Sequence, residues 1–294
     1  MSRTQVLSDV AWARIEPLMP KASPKGGRPF SDHRPIVEGI IWRFRTGSPW
    51  RDVPAEFGPW QTVWRRHSEL SKDGTWDRIH AELLADADAA GELVWDVSVD
   101  STVNRAHQHA TNLPRDTGAE SNYRNPREEP PDHAIGRSRG GLSTKIHHLV
   151  DGKGGPLVVL VGPGQAGDAP MFPILMSHLR VARRGPGRPR TRPDRVRGDK
   201  AYSSRAIRQH LRDRDIVSVI PEPSDQQGHR KRRGSRGGRP VTYDRHDYKG
   251  RNVVERGFNE DKQWRGLATR YDKLARNYRG GAVLRAITIW LKRL

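Results

Sequence analysis

The sequence predicts an α/β unit over residues 91–294, preceded by an all-α unit over residues 1–90. Three observations predict it. Apolar residues recur at helical spacing through the first part of the chain. Beyond it LVWDVSVD, rich in β-branched residues, opens a run of short strands. Strands and helices then alternate, with acidic residues at strand ends and on a late helix, the order expected of a sheet layered with helices.

Composition limits the function. The 294 residues hold 53 Lys and Arg against 34 Asp and Glu, a formal net charge of +19. The natural partners of such a chain are polyanions, nucleic acid first. An anionic membrane competes, but no apolar run approaches the length of a spanning helix. MSRTQVLSDVAW lacks the apolar core of a signal peptide, so the cytoplasm is the expected compartment. With no cysteine, disulfides and thiolate metal sites are excluded, and any metal is a hard ion held by oxygen or one bound by histidine.

In the N-terminal unit Leu7, Trp12, Ile15 and Leu18 form a short amphipathic helix that Pro20 stops. The basic loop KASPKGGRPF follows. Ile36, Val37, Ile40, Ile41 and Phe44 keep a helical period until Gly47. After GSP, WRDVPAEFG reads as a short helix or turn, and Trp60 opens WQTVWRRHSEL. This succession suggests a helix-turn-helix. Gln61, Thr62, Arg65, Arg66 and His67 on its last helix can reach base edges or phosphates. The alternative is a plain helical bundle with a solvated basic face. Trp42, Trp50, Trp60 and Trp64 are read as core.

ADADAAGE, residues 85–92, reads as a connector. A strand is expected at about Leu93 to Asp100, with Asp100 at its end. A carboxylate there suits a metal, or caps a turn. Asn104 to about Ile135 is too polar to bury a core and is expected to be a mobile loop, with His107 and His109 as surface histidines. Strands at Ser143–Val150 and Leu157–Val161 form a hairpin. Arg137 and Arg139 precede them. No phosphate-loop motif occurs. Asp168 is expected to cap a helix with Pro170 in its first turn.

Seven arginines between Arg183 and Arg197, interleaved with Gly and Pro, read as a basic loop (183–197) for phosphate contacts. Asp199 closes a short strand in VRGDKAYSS, and Ser203 or Ser204 caps the next helix. A further strand spans about Ile216 to Ile220. GHRKRRGSRGGRP (228–240), with Arg232 and Arg233, is the densest basic stretch; it is expected to be disordered without DNA and to contact a strand.

YKGRNVVERGFNEDK, from Tyr248 to Lys262, reads as one helix on which Tyr248, Arg251, Glu255 and Lys262 share a narrow face. Val254 and Phe258 lie beside it. A glutamate flanked by two cations suits a divalent ion next to phosphates. Taken alone, Arg251 and Glu255 also make an ordinary i,i+4 pair. The helix is expected to run on through Trp264 and Leu267. A final helix packs Val283, Ile287 and Leu291 on the core, with Trp290 extending that surface.

The spacing Tyr-x2-Arg-x3-Glu-x6-Lys resembles the signature of the DDE transposases of bacterial insertion elements. VVERGFNEDKQWRGLATRYDK is similar to the insertion sequence five group, and the resemblance runs from LSDVAWARIEPLMP to the last helix. It implies a ribonuclease-H-like fold of mixed sheet. In that family GDKAY carries the second carboxylate, the place of Asp199. The implied catalytic residues and metal ligands are Asp100, Asp199 and Glu255, holding two Mg²⁺ ions for which Mn²⁺ can substitute. Arg251 and Lys262 would position phosphates, Tyr248 would orient, and Arg137 and Arg139 would touch DNA backbone. The implied reaction is cleavage at the ends of a mobile element and attack of the freed 3′-hydroxyls on target DNA. The implied partner is double-stranded DNA, bound by at least a dimer at the bacterial nucleoid. A DNA-binding regulator without turnover and a structure-selective nuclease are the rival readings.

Overall fold

The computed structural model describes residues 7–21, 32–114 and 129–294. The basic loop beyond Lys21 and most of the polar segment after Pro114 lie outside them.

α1 (Asp9–Ile15) is capped by Ser8, whose Oγ accepts from the Ala11 amide, and it ends in a 3₁₀ turn before Pro20. α2 (His33–Thr46) buries Ile36, Val37, Ile40, Ile41 and Phe44. It stops at Gly47, whose φ of 70° favours glycine. Two 3₁₀ turns lead to α3 (Trp60–Lys72), completing the helix-turn-helix-like unit, and α4 (Thr75–Ala89) follows. The ADADAAGE stretch is therefore mostly helix. Ala85 and Ala87 are fully buried, because small side chains let α4 pack closely.

The second part is a seven-stranded mixed sheet. β1 (Asp96–Ala106) lies at its centre. β2 (Gly136–Ser138) and β3 (Gly141–Val150) precede β4 (Pro156–Pro163), and β3 pairs antiparallel with β1, β2 and β4. α5 (Met171–His178) leads to β5 (Arg195–Gly198), parallel to β1. α6 (Arg205–Asp213), capped by Ser204, leads to β6 (Val217–Val219), parallel to β5. Then come α7 (Ser224–Arg232), α8 (Arg245–Tyr248), α9 (Asn252–Lys262), α10 (Arg265–Ala268), the short β7 (Thr269–Arg270) on β1, and α11 (Ala275–Leu291).

Several expectations need correction. β1 does not stop at Asp100, since β3 pairs with it as far as Arg105. Its later inward positions are polar, and one chain of hydrogen bonds ties them to the helices: Asn104 Nδ2 donates to Tyr278 Oη at 3.0 Å, and Tyr278 Oη donates to the Leu267 carbonyl at 2.6 Å. The end of the polar segment is also fixed, because Glu129 accepts from the Ala275 and Arg276 amides at the start of α11. Asp168 does not cap α5 with its side chain. The stretch 228–240 begins as α7 and continues in a 3₁₀ turn instead of being disordered. The run after Lys262 breaks at Trp264, which is extended, before α10.

The main apolar core runs from Ile15 through β1 to Trp290, and a small second cluster lies under α9. α11 packs on α3, α4 and β4. Gly281 admits the contact with α2, since a Cβ there would lie 2.2 Å from the Phe44 ring. Buried polar ties join the same elements: Arg43 pairs with Asp272 at 2.9 Å, and His80 bonds the Pro156 carbonyl at 2.8 Å.

Candidate active site

Sheet register places the two aspartates. The parallel ladder of β1 and β5 ends with Val99 opposite Gly198. Asp100 and Asp199 are the next residues on the two neighbouring strands, where backbones lie about 4.8 Å apart. Asp199 turns away at once, and its Oδ1 accepts from the Ala201 amide at 2.9 Å. Asp100 stays in β1 and is half-buried, its Oδ1 accepting from the Ser101 amide at 2.8 Å. Burial raises its pKa, and the Asp199 charge adds to this against the pull of Ser101 and Arg251.

The third carboxylate arrives from α9. Val254 and Phe258 bury against Val150, and Phe258 stacks on His148 with ring centroids 5.0 Å apart. His148 faces Asp100 in the β1–β3 register, so this contact sets α9 beside Asp100. Glu255 is exposed in the first turn of α9. Arg251 Nη1 donates to Asp100 Oδ2 at 2.7 Å, while its Nη2 donates to Glu255 Oε1. One guanidinium thus joins the two carboxylates. Tyr248 lies beneath it, the ring centroid 5.9 Å from Arg251 Cζ. Tyr248 and Arg251 precede α9, in α8 and a 3₁₀ turn, so the four residues do not ride one uninterrupted α-helix. Lys262 is exposed seven residues beyond Glu255, about 10 Å along the axis, and does not join the cluster.

The arginines read as a phosphate-binding loop do something else. Arg195 Nη1 and Arg197 Nε donate to Asp247 at 2.7 and 2.8 Å, and both pair with Asp96. This quartet bolts α8 to β1 and β5. Gly250 leaves room for it, since a Cβ there would lie 2.9 Å from the Arg197 guanidinium. Arg184 pairs with Glu82 and Asp86 of α4, and Arg190 pairs with Asp194 while lying 4.1 Å over Trp95. These paired arginines strap the loop to the fold, while Arg183 and Arg188 stay exposed.

A second polar cluster stands on the other face of β1. Asp168 Oδ1 accepts from Ser101 Oγ at 2.6 Å and from Lys145 Nζ at 2.8 Å. Burial pushes its carboxyl up, but those two bonds outweigh it and hold the pKa below the usual range. Tyr202 is fully buried just past Asp199. Burial, then the charges of Asp168, Asp100 and Asp199, keep its phenol well above its ordinary pKa. Sequence reasoning missed Asp247, Lys145 and Tyr202. Of these, only Tyr202 lies in a segment the sequence singles out, GDKAY.

The other candidate DNA contacts are spread over the surface. On α3, Gln61 and Arg65 are exposed and Thr62 and Arg66 half-buried, Arg66 pairing with Glu69 at 3.0 Å. His67 is a correction: it is fully buried, bonds the Asn277 carbonyl at 2.9 Å, and burial lowers its pKa to about 4. Trp64 is the converse correction, 43% exposed. Arg137 and Arg139 are exposed on β2 and the turn after it, as are Arg232 and Arg233 at the end of α7.

Among the described residues no three His, Asp or Glu side chains are grouped to hold a metal as they stand. The donors at the centre are nevertheless carboxylate oxygens alone, and two of them already share a cation, the Arg251 guanidinium. Such a set fits a hard divalent ion.

Residues 7–80 match the family described as "Putative transposase of IS4/5 family", and residues 95–291, more than half of the chain, match "Transposase DDE domain". The chain is 38% identical over 108 residues to the insertion element IS402 uncharacterized 16.2 kDa protein of Burkholderia cepacia, covering 34% of this chain and 74% of that one. It is 36% identical over 113 residues to the uncharacterized protein y4sN of Sinorhizobium fredii, covering 38% and 86%. It is 31% identical over 155 residues to the "Putative transposase for insertion sequence element IS6501" of Brucella ovis, covering 51% of this chain and 100% of that one. No solved structure matches. With its mixed sheet flanked by helices, its helical N-terminal region and these matches, the chain belongs to the DDE transposases of insertion elements and has their ribonuclease-H-like fold.

Proposed function

We propose that this chain cuts DNA at the ends of an insertion element and joins the freed 3′-hydroxyls to target DNA, using Asp100, Asp199 and Glu255. The observation that carries this reading is the convergence of three segments: Asp100 and Asp199 follow directly on the last paired residues of two adjacent parallel strands, and Arg251 draws Glu255 to Asp100.

Asp100, Asp199 and Glu255 would hold two Mg²⁺ ions, or Mn²⁺ in their place. Bound there, divalent ions supply activation of water or a 3′-hydroxyl and neutralise the leaving oxygen. The rest falls to the chain itself. Asp100, disfavoured as a bare anion by burial, gains most from a cation beside it. Arg251 presents a planar fork that matches phosphate oxygens, Lys262 offers a point charge farther along α9, and Tyr248 orients Arg251 from below. Gln61, Thr62, Arg65 and Arg66 of the helical unit (1–90) would hold the element end. Arg137, Arg139, Arg232 and Arg233 of the catalytic unit (91–294) would hold backbone phosphates. Two ends must meet, so the working complex contains at least two copies, acting at the nucleoid.

Strand transfer tests this reading against that of a nuclease. Pre-cut element ends carrying 3′-hydroxyls are incubated with protein, Mg²⁺ and a plasmid target. Joined products support transposition; cutting of uncut ends with no joining of pre-cut ones would assign a nuclease instead.

A further inference from the structure

A largely apolar groove of about 1100 Å³ lies between the start of α3 and the far end of β1. Its walls are rings: Trp50, Trp60 and Trp64 on the helical side, and His107, His109 and Tyr271 on the sheet side. The sheet-side rings form a ladder, with His109 to His107 centroids 4.8 Å apart and His107 to Tyr271 4.9 Å apart. Trp64, 43% exposed, is an aromatic side chain the fold leaves open to solvent. β1 carries the chain seven residues from Asp100 to His107, about 23 Å at strand rise, so the groove is separate from the carboxylates.

The rim settles what would enter. Arg51 and Lys273 are exposed there, and neither pairs with a carboxylate among the described residues. The one acid in the lining, Asp272, is buried and paired with Arg43 at 2.9 Å. Arg51 already stacks a guanidinium 5.7 Å from the Trp60 ring. Flat apolar walls beneath free cations complement a flat ligand on an anionic chain, and a chain of net charge +19 favours polyanions over acidic or neutral peptides in general. Bases in an intact duplex stack on one another and have no face to offer, whereas unpaired bases do.

We infer that this groove binds unpaired nucleobases of a DNA strand by stacking, with Trp64 and Tyr271 as platforms and Arg51 and Lys273 on the phosphates. The inference rests on the proposed action on DNA but not on its cutting. Affinity of the full chain for a homopolymeric deoxythymidine strand and for a fully paired duplex of the same length is measured at one salt concentration. Trp64→Ala, Tyr271→Ala and Trp64→Phe are compared with the parent.

Each alanine variant is expected to weaken single-strand binding by roughly five- to hundredfold, the range for one lost base stack, with duplex binding held. Trp64→Phe retains a ring and restores most of the affinity. Equal loss for strand and duplex, or no loss for either, overturns the groove assignment while leaving DNA action intact. If Trp64→Ala instead changes the sedimentation of the free protein and leaves strand affinity unmoved, the groove holds a second copy and the inference fails. If the parent binds neither DNA, this inference and the proposed function fall together.

Discussion

Arg251 Nη1 stands 2.7 Å from Asp100 Oδ2 although the two residues are 151 positions apart in the chain. That bond, with the one from Arg251 to Glu255, brings the last helical carboxylate to the central strand. It also places a positive charge between two groups proposed to hold metal. Replacing Arg251 with Gln should therefore tighten Mn²⁺ binding, by roughly tenfold or more given that a unit charge at about 4 Å is worth about 1 kcal/mol in water and about 4 kcal/mol near a protein surface. Cleavage should fall in the same variant, since the phosphate fork is gone. Electron paramagnetic resonance of Mn²⁺ gives the first quantity; unchanged or weaker binding would deny Arg251 this place.

Asp247 accepts from Arg195 and Arg197 with nine-tenths of its side chain buried. Asp247→Ala leaves two guanidinium groups facing only Asp96. The expected loss of stability is about 1–2 kcal/mol, below the cost of breaking a fully buried pair because Arg195 and Asp96 are about a third exposed. Urea unfolding measures it. A loss near zero would mean that α8 is held chiefly by other contacts.

His67 and His80 are both fully buried, bonded to carbonyls, and lowered to about 4 by desolvation. Below about 6.5 the unfolded chain binds protons that these rings refuse when folded, so the stability they contribute is present above 6.5 and is lost as pH falls towards 4. Each accounts for at most about 3 kcal/mol of that loss. Asp261, raised to about 6 by burial, works in the opposite sense across part of the window. A urea midpoint that falls between pH 6.5 and 4, less steeply in His80→Gln, is the expected result. A midpoint independent of pH there would contradict it.

Gly281 of α11 faces the Phe44 ring so closely that a Cβ would stand 2.2 Å away. Gly281→Ala should cost about 1–3 kcal/mol through overpacking, although alanine is the better helix former. Thermal unfolding shows the sign.

Much of this architecture could be read from residue pattern. Helical spacing located α2, α3 and α11, Ser204 and Gly47 marked true ends, and the Tyr-Arg-Glu-Lys spacing identified Glu255 and Arg251 as neighbours. Long-range pairing was not readable. Nothing local to Arg195 and Arg197 says that Asp247 will neutralise them, so these two arginines read as phosphate contacts when they tie α8 to the sheet. The same blindness affected His67, whose partner Asn277 is 210 residues away. The second half of β1 is hard to read as strand because its buried positions are polar, such as Asn104, whose Nδ2 finds its partner in Tyr278, 174 residues on. Trp64 reads as core in the sequence because helical period alone does not say which face of α3 is covered.

If Asp100, Asp199 and Glu255 act as one site on DNA, loss of any one of them abolishes cutting. The most direct measurement is Mg²⁺-dependent cutting of DNA carrying the element's own ends, comparing the parent chain with Glu255→Ala while binding is followed in parallel. Cutting is expected to disappear in the variant while binding persists. Cutting that survives the substitution, or a parent chain that binds these ends without cutting them, would contradict it.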